Sequence, residues 1–331
     1  IGSGVETVAT IDELIAGKPD AAFVLTPDWR HERDAVRLLE AGIAVYLEKP
    51  MAISTEACDR ILAAAARSGA RLYVGHNMRH MAFVREMKRL VDAGAIGQVK
   101  TVWARHFVGH GGDFFFRDWH ADRRKTTGLL LQKGAHDIDV IHWLAGGYSQ
   151  TVHAFGTLAV YGETADRRAG GESWWKTGRL DAWPPRSIRP LNDVVDVEDL
   201  SLMQMTLDNG VLASYLQCNF TPDYWRSYTV VGDEGRLENF GDGDEGTVIK
   251  VWNRRKRGFA EADVTLPIQV AIGGHGGADA LIVAEFIRFV RDGGATETSP
   301  IAARYAVAAA DAATESLRHG GIPADVPPLK D

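Results

Sequence analysis

The chain has 331 residues, 45% of them hydrophobic and 24% charged, which are ordinary values for a globular protein. That length predicts two domains, and a net charge of -7 with a pI near 5.9 argues against a nucleic-acid partner, which needs a basic face. The one basic run, Arg254-Arg255-Lys256-Arg257, is too short to outweigh that balance and reads as a solvated hairpin end.

No stretch of eighteen apolar residues occurs, so neither a membrane-spanning helix nor a membrane partner is expected. Cys58 and Cys218 lie far apart in no metal or redox spacing, which predicts a reducing compartment, the cytoplasm, and no disulfide framework.

In chain order, Thr10-Ile11-Asp12-Glu13 is a capping box that opens a short helix. Ala21 to Thr26 is an apolar strand ending at Pro27, and His31 to Ala41 is a helix stopped by Gly42. Ile43 to Leu47 is a second apolar strand that runs into Glu48-Lys49-Pro50. Strands of this kind, buried on both faces, belong to parallel sheets covered by helices. Ligands of such sheets bind beyond the carboxyl ends of the strands, which is where Glu48 and Lys49 sit. Ser54 caps a helix that runs to Ser68, and Arg71 to Gly75 is a third strand, followed by His76-Asn77-Met78-Arg79. A helix from about Met81 to Asp92 closes this half.

From Val99 the period changes toward two. Lys100 to Phe107, Val152 to Tyr161, Leu200 to Thr206, Val211 to Phe220, Tyr228 to Val231, Arg236 to Phe240 and Val248 to Trp252 read as strands of one large antiparallel sheet. Asp208-Asn209-Gly210 is a hairpin signal, because Asn-Gly tolerates positive φ. Gly162 to Asp196, with Trp174, Trp175, Trp183 and Pro184-Pro185, reads as an irregular surface excursion. Helices over Ala278 to Arg291 and from Ser299-Pro300 to about Gly320 end the chain. Leu202, Met203, Met205, Leu212, Tyr215 and Leu216 put apolar groups on both faces of the sheet, which predicts a homodimer or homotetramer through the face that helices do not cover.

Thr26-Pro27-Asp28-Trp29-Arg30-His31, then Glu40-Ala41-Gly42, then Glu48-Lys49-Pro50, in that order and spacing, resemble the Gfo/Idh/MocA-type sugar and polyol dehydrogenases. The family fold implies a Rossmann portion over residues 1–82, a doubly wound parallel sheet. A substrate-binding and oligomerisation domain of α+β type follows over 83–331, its antiparallel sheet carrying helices on one face and its last helices packing back on the first domain. Such a Rossmann domain opens with a glycine-rich G-x-G-x-x-G turn. That turn is absent from the first residues here, so the expectation is that the glycine-rich portion lies upstream of Ile1.

The second marked stretch is Gly128 to Asp139, G-L-L-L-Q-K-G-A-H-D-I-D. On a helix His136 and Asp139 are neighbours, and a carboxylate beside an imidazole fixes its tautomer and raises its pKa, as a general base needs. The resemblance implies Lys49 beside the reacting hydroxyl and His136 as acid/base, with Asp139 next to it. The family aspartate four residues before the histidine is Gln132 here, which cannot titrate, and Lys133 adds a positive charge suited to substrate. The resemblance further implies an NAD or NADP cofactor lined by Thr26, Pro27, His31, Glu48 and Lys49. Asn77 (toward the cofactor) and Arg79, Trp119 and Arg123 (toward the substrate) lie on segments expected to face the cleft. No metal is expected, since His106 and His110, or His136 and His142, have no zinc spacing. The activity implied is hydride transfer between NAD(P) and a sugar, cyclitol or related polyol. Redox-assisted glycoside cleavage with tightly held NAD, and a non-catalytic sugar- or nucleotide-binding regulator on the same scaffold, remain as alternatives.

Overall fold

The computed structural model describes residues 6–168, 182–269 and 271–329. Helix α1 (Ile11–Ala16) starts where the Thr10 hydroxyl accepts from the Glu13 amide at 3.2 Å, while the Glu13 carboxylate accepts from the Ala9 amide at 2.8 Å. Strands β1 (Ala21–Val24), β2 (Ala44–Glu48) and β3 (Leu72–Gly75) form a parallel sheet in the order β1-β2-β3. Helices α2 (His31–Glu40) and α3 (Thr55–Ser68) make the crossovers. Ser54 caps α3, and Gly69 ends it at φ +69°, a left-handed conformation that costs glycine nothing.

Val45, Leu47 and Val74 are fully buried in a core shared with Leu38, Leu39 and Ile61. Tyr46 and Tyr73 turn the other way, onto Ile282 and Phe286 of a late helix. One expectation is corrected: β1 is not buried on both faces. Among the described residues it pairs only with β2, and Phe23 on it and Leu25 just after it are 45% and 66% exposed.

The second sheet has nine strands among the described residues. Helix α4 (Ala82–Asp92) leads into β4 (Val99–Phe107), helix α5 (Gly134–Ala145) into β5 (Ser149–Thr157). Then follow β6 (Leu200–Leu207), β7 (Leu212–Cys218), β8 (Trp225–Gly232), β9 (Arg236–Phe240), β10 (Val248–Trp252) and β11 (Val264–Pro267). Two helices, α6 (Ala278–Asp292) and α7 (Pro300–Arg318), and the two-residue strand β12 (Ala324–Asp325) complete it. The spatial order is β11-β10-β9-β8-β4-β7-β6-β5-β12, antiparallel throughout except for β4 beside β7. The Asn-Gly turn joins β6 to β7 with Gly210 at φ +80°.

One face of this sheet is covered by α5 and α7. Met203, Met205, Ala213, Tyr215 and Val230 point into that core, whereas Trp103, Phe155, Leu202 and Leu212 on the opposite parity stay about half exposed. The excursion after β5 folds back over the Phe-rich loop: Tyr161, Ile188, Leu191 and Val197 bury against Val108, Phe115 and Phe116. Trp183 is 52% exposed, and Trp174 and Trp175 lie outside the described residues.

Helix α7 locks the two parts together. It touches α3 of the parallel layer and α5 and β5 of the other, through Ala303, Ala306, Ala309, Ala310 and Ala313, all fully buried. Alanine permits that close approach because a larger side chain would have to displace packed atoms. Ala309→Leu should therefore destabilise the protein by about 1–3 kcal/mol, seen as a lower midpoint in urea unfolding; an unchanged midpoint would mean that the helix seam has slack.

Candidate active site

The carboxyl ends of the three parallel strands stand level, since Val24 pairs with Leu47 and Glu48 with Gly75. They deliver Thr26-Pro27-Asp28, Glu48-Lys49-Pro50 and His76-Asn77 to one edge. His31 ties the first two together: one ring nitrogen lies 2.8 Å from the Pro50 carbonyl oxygen, the other 2.8 Å from that of Thr26. Burial lowers its pKa, so the ring is neutral and donates to one carbonyl at a time. This staple occupies both ring nitrogens.

Opposite these ends, the turn Leu129–Gln132 and the start of α5 bring Gln132, Lys133 and His136. Gly134 packs closely there, since a Cβ would come within 3.1 Å of the Tyr215 ring on β7. The lysine pKa values fall for a shared reason. Burial depresses that of Lys49 against the pull of Glu48 and Asp28, with Arg226 adding repulsion. Burial, Arg226 and Lys49 depress that of Lys133 strongly. Burial, then Lys49, Lys133 and Arg226, hold His136 as a neutral imidazole. Clusters of titratable groups shifted this way mark functional sites.

The counter-charge comes from Asp137, which sequence reasoning passed over. It is fully buried on α5, and its carboxylate accepts from the Tyr215 hydroxyl at 2.9 Å and from the Tyr228 hydroxyl. His106 Nδ1 stands at 3.2 Å and Arg226 Nε at 3.3 Å. Burial would raise its pKa, but His106, Arg226 and these hydrogen bonds more than reverse that, so Asp137 is ionised. The signal was present: His106, Tyr215, Gln217, Arg226 and Tyr228 are polar groups at core-facing positions of β4, β7 and β8.

The expected partnership of His136 with Asp139 is not made. Both carboxylate oxygens of Asp139 accept from Arg79, at 2.7 Å each, and His76 lies 3.6 Å away. The remaining Arg79 Nη1 donates to the Glu297 carbonyl at 2.8 Å. Asp139 and Arg79 thus pair with each other, and Asp139 accepts at both oxygens from the guanidinium in place of the imidazole. Arg123 is exposed and pairs with Asp196 at 3.2 Å. Trp119 is half-buried, stacked on His120 with centroids 3.7 Å apart and edge-on to Trp29 at 4.9 Å. His120 faces Lys49 and Lys133 and is held neutral, its pKa pushed down to about 3 mainly by burial.

The strand ends suit a dinucleotide. Thr26 Oγ1, Asp28 Oδ2 and Asn77 Oδ1 are buried with no hydrogen-bond partner among the described residues, an arrangement that a polar ligand would satisfy.

Comparison with known proteins agrees with this geometry. Residues 2–76 match the model of the oxidoreductase family with an NAD-binding Rossmann fold, and residues 84–238 match the GFO/IDH/MocA C-terminal domain. The chain is 26% identical over 313 residues to a putative oxidoreductase, YteT, of Bacillus subtilis, covering 82% of this chain and 73% of that protein. It is 31% identical over 240 residues to a putative UDP-kanosamine synthase oxidoreductase subunit of Amycolatopsis mediterranei, covering 70% of this chain but 60% of that one. Among solved structures, a levoglucosan dehydrogenase complexed with NADH and L-sorbose superposes with a TM-score of 0.77 at 20% identity, over 96% of this chain and 83% of that chain. The chain belongs to the Gfo/Idh/MocA oxidoreductase family, with an NAD-binding Rossmann portion and the family's C-terminal domain.

The Asp139–Arg79 assignment is testable by stability. Asp139→Ala leaves a buried guanidinium uncompensated and should cost roughly 3–5 kcal/mol in chemical unfolding. A loss below about 1 kcal/mol would return Asp139 to the list of ligand-facing groups.

Proposed function

We propose that the complete protein transfers a hydride between NAD(P) and a hydroxyl or carbonyl carbon of a sugar, cyclitol or related polyol. The observation that carries this reading is a half-buried lysine, Lys49, at the carboxyl end of a parallel strand, its pKa lowered by burial, near the neutral imidazole of His136. The names of similar proteins support this reading: one is a putative UDP-kanosamine synthase oxidoreductase subunit, and a solved structure of the same fold is a levoglucosan dehydrogenase. Residues 1–82 serve the cofactor in this reading, and residues 83–331 the substrate and the subunit contacts.

The dinucleotide, when bound, accepts or returns the hydride. Thr26, Pro27, Glu48 and Asn77 line its place, while His31 fixes the strand ends that carry them. Lys49 takes a hydrogen bond from the substrate hydroxyl and withdraws its proton as the carbonyl forms. His136 contacts a second position on the same substrate edge and orients it, or exchanges the proton with Lys49. Lys133 and Trp119 with His120 border the substrate space, and stacking on an aromatic face suits the apolar side of a sugar ring. The expectation that the neighbouring aspartate tunes His136 gives way to Lys49 and Lys133, which lower its pKa instead.

The open sheet face supports association with a second copy. Trp103, Phe155, Leu202 and Leu212 together make an apolar surface beyond what a lone subunit needs. Free, buried Cys58 and Cys218 suit a reducing compartment such as the cytoplasm. Among the described residues, no helix is long and apolar enough to cross a membrane.

Two outcomes are expected. Lys49→Met and His136→Ala should each lower kcat by roughly 100-fold or more with dinucleotide affinity within a few-fold, measured by steady-state kinetics and NADH fluorescence titration. Full activity in both variants would remove them from the reaction. Leu212→Asp should shift the wild-type oligomer toward monomer in sedimentation velocity; a wild type that is monomeric at micromolar concentration would contradict the sheet-face contact.

A further inference from the structure

Lys49 comes from the parallel sheet and His136 from α5, so something behind the cleft must set one against the other. Thr127, which follows the turn Arg123–Thr126, has an unusual backbone: φ is +65° and ψ is −49°. A β-branched residue is strained at such angles, where glycine would rest without penalty. Strain of this kind persists only where the surroundings over-determine it, and it clusters at functional sites. Here each polar group of Thr127 is engaged. Its amide donates to the Arg123 carbonyl at 2.8 Å, its carbonyl accepts from Arg318 Nη2 at 2.7 Å, and its hydroxyl donates to the Ile53 carbonyl.

Those partners belong to both walls of the cleft. Ile53 follows Lys49 along one segment, which is also held at Pro50 by His31 and at Thr55, whose amide and hydroxyl both donate to Asp311 Oδ2 at 2.8 Å. Gly128 starts the opposite wall. Its carbonyl accepts from the amides of Leu131 at 3.2 Å and Gln132 at 2.9 Å, and this turn passes straight into α5 at Gly134. Asp311 and Arg318 stand at i and i+7 on α7, so they share one face of that helix. Glu198 fixes Arg318 in turn, at 2.9 and 3.0 Å. Resting on the dehydrogenase reading above, we propose that Thr127 is a positioning residue for the reaction. Its hydroxyl closes a ring of contacts that runs from Ile53 and Thr55, through Asp311 and Arg318 of α7, back to Thr127, and this ring sets Lys49 against His136.

The choice of residue supports this. A loop that only had to be tied down could carry glycine at this position without strain. Threonine keeps a stiff χ1, so its hydroxyl stays aimed at the Ile53 carbonyl. Gly128 beside it lets the guanidinium come close, since a Cβ there would meet Arg318 Nη2 at 3.3 Å. The neighbouring Thr126 hydroxyl donates to the His120 carbonyl at 3.2 Å, which ties the Trp119–His120 stack to the same short segment. Thr127 touches neither substrate nor dinucleotide in this scheme; it acts through the placement of Lys49 and His136. Hydroxyl oxidation is sensitive to that placement, because a displacement of about 1 Å among reacting groups can cost about 100-fold in rate.

The test compares Thr127→Ser, Thr127→Val and Thr127→Gly in the complete protein by steady-state kinetics, urea unfolding and amide hydrogen exchange. Thr127→Ser keeps the hydroxyl and should hold kcat for polyol oxidation within about threefold of the wild type. Thr127→Val keeps the shape and loses the hydroxyl, so kcat should fall roughly 10- to 100-fold with KM for the dinucleotide within about threefold. Thr127→Gly relieves the strain, which offsets the greater freedom of its unfolded chain. Its unfolding midpoint should therefore stay near that of the wild type while kcat falls as in Thr127→Val. Should Thr127→Val fail to fold, Thr127→Gly carries the test by itself. Independently of turnover, exchange over residues 50–55 and 128–136 should quicken together in Thr127→Gly and match the wild type in Thr127→Ser. Thr127→Gly with wild-type kcat, with kcat and midpoint lowered together, or with unchanged exchange over 50–55 overturns the positioning role and leaves the dehydrogenase reading intact. A wild type that oxidises no sugar or polyol with either dinucleotide overturns both.

Discussion

Everything in the cleft depends on a fixed positive charge, Arg226, buried against the ionised carboxylate of Asp137, with Asp242 3.7 Å from another of its side-chain nitrogens. A guanidinium cannot release its proton in a protein, so its charge is permanent. Asp137 offsets that charge and is itself held by two tyrosine hydroxyls and His106. The consequence spreads outward: burial penalises charge on Lys133 and His136, the nearby cation adds to that penalty, and the pKa of each falls well below its ordinary value. Lys49 feels the same repulsion, tempered by Glu48 and Asp28. A neutral amine and a neutral imidazole are bases; protonated ones are not. The buried pair thus sets the protonation states on which hydroxyl chemistry relies.

That arrangement requires the whole architecture. Arg226 and Tyr228 are on β8, Tyr215 on β7 and His106 on β4, which are adjacent strands of the large sheet, while Asp137 rides on α5 across its face. The parallel pairing of β4 with β7 aligns His106 with Gln217 and Ala104 with Tyr215. Lys49 comes from a different sheet, and α7 is what fixes one sheet against the other through its alanine seam. The site lies where the two layers meet, so its chemistry is a property of their docking.

Much of this was legible in the residues. The spacing from Thr26-Pro27 through Glu48-Lys49-Pro50 signalled both the parallel layer and its ligand edge, and the alternation of β6 and β7 signalled a sheet with two apolar faces. What the chain could not reveal locally was which acidic group answers which base. His136 and Asp139 are neighbours on a helix, but Arg79, 60 residues upstream, claims Asp139 with two hydrogen bonds. Helical spacing offers proximity only, and a guanidinium with matching fork geometry wins over an imidazole three residues away. Arg123 likewise pairs with Asp196, 73 residues distant in sequence, which no local spacing signals.

The most direct measurement is a crystal structure of the complete protein with reduced dinucleotide and a sugar or polyol bound. The account predicts Lys49 Nζ within hydrogen-bond reach, about 3 Å, of the hydroxyl whose carbon faces the nicotinamide, with His136 on the same edge of the substrate. Lys49 turned to solvent, or a substrate held by Asp139 and Arg79 in place of Lys49 and His136, would contradict it.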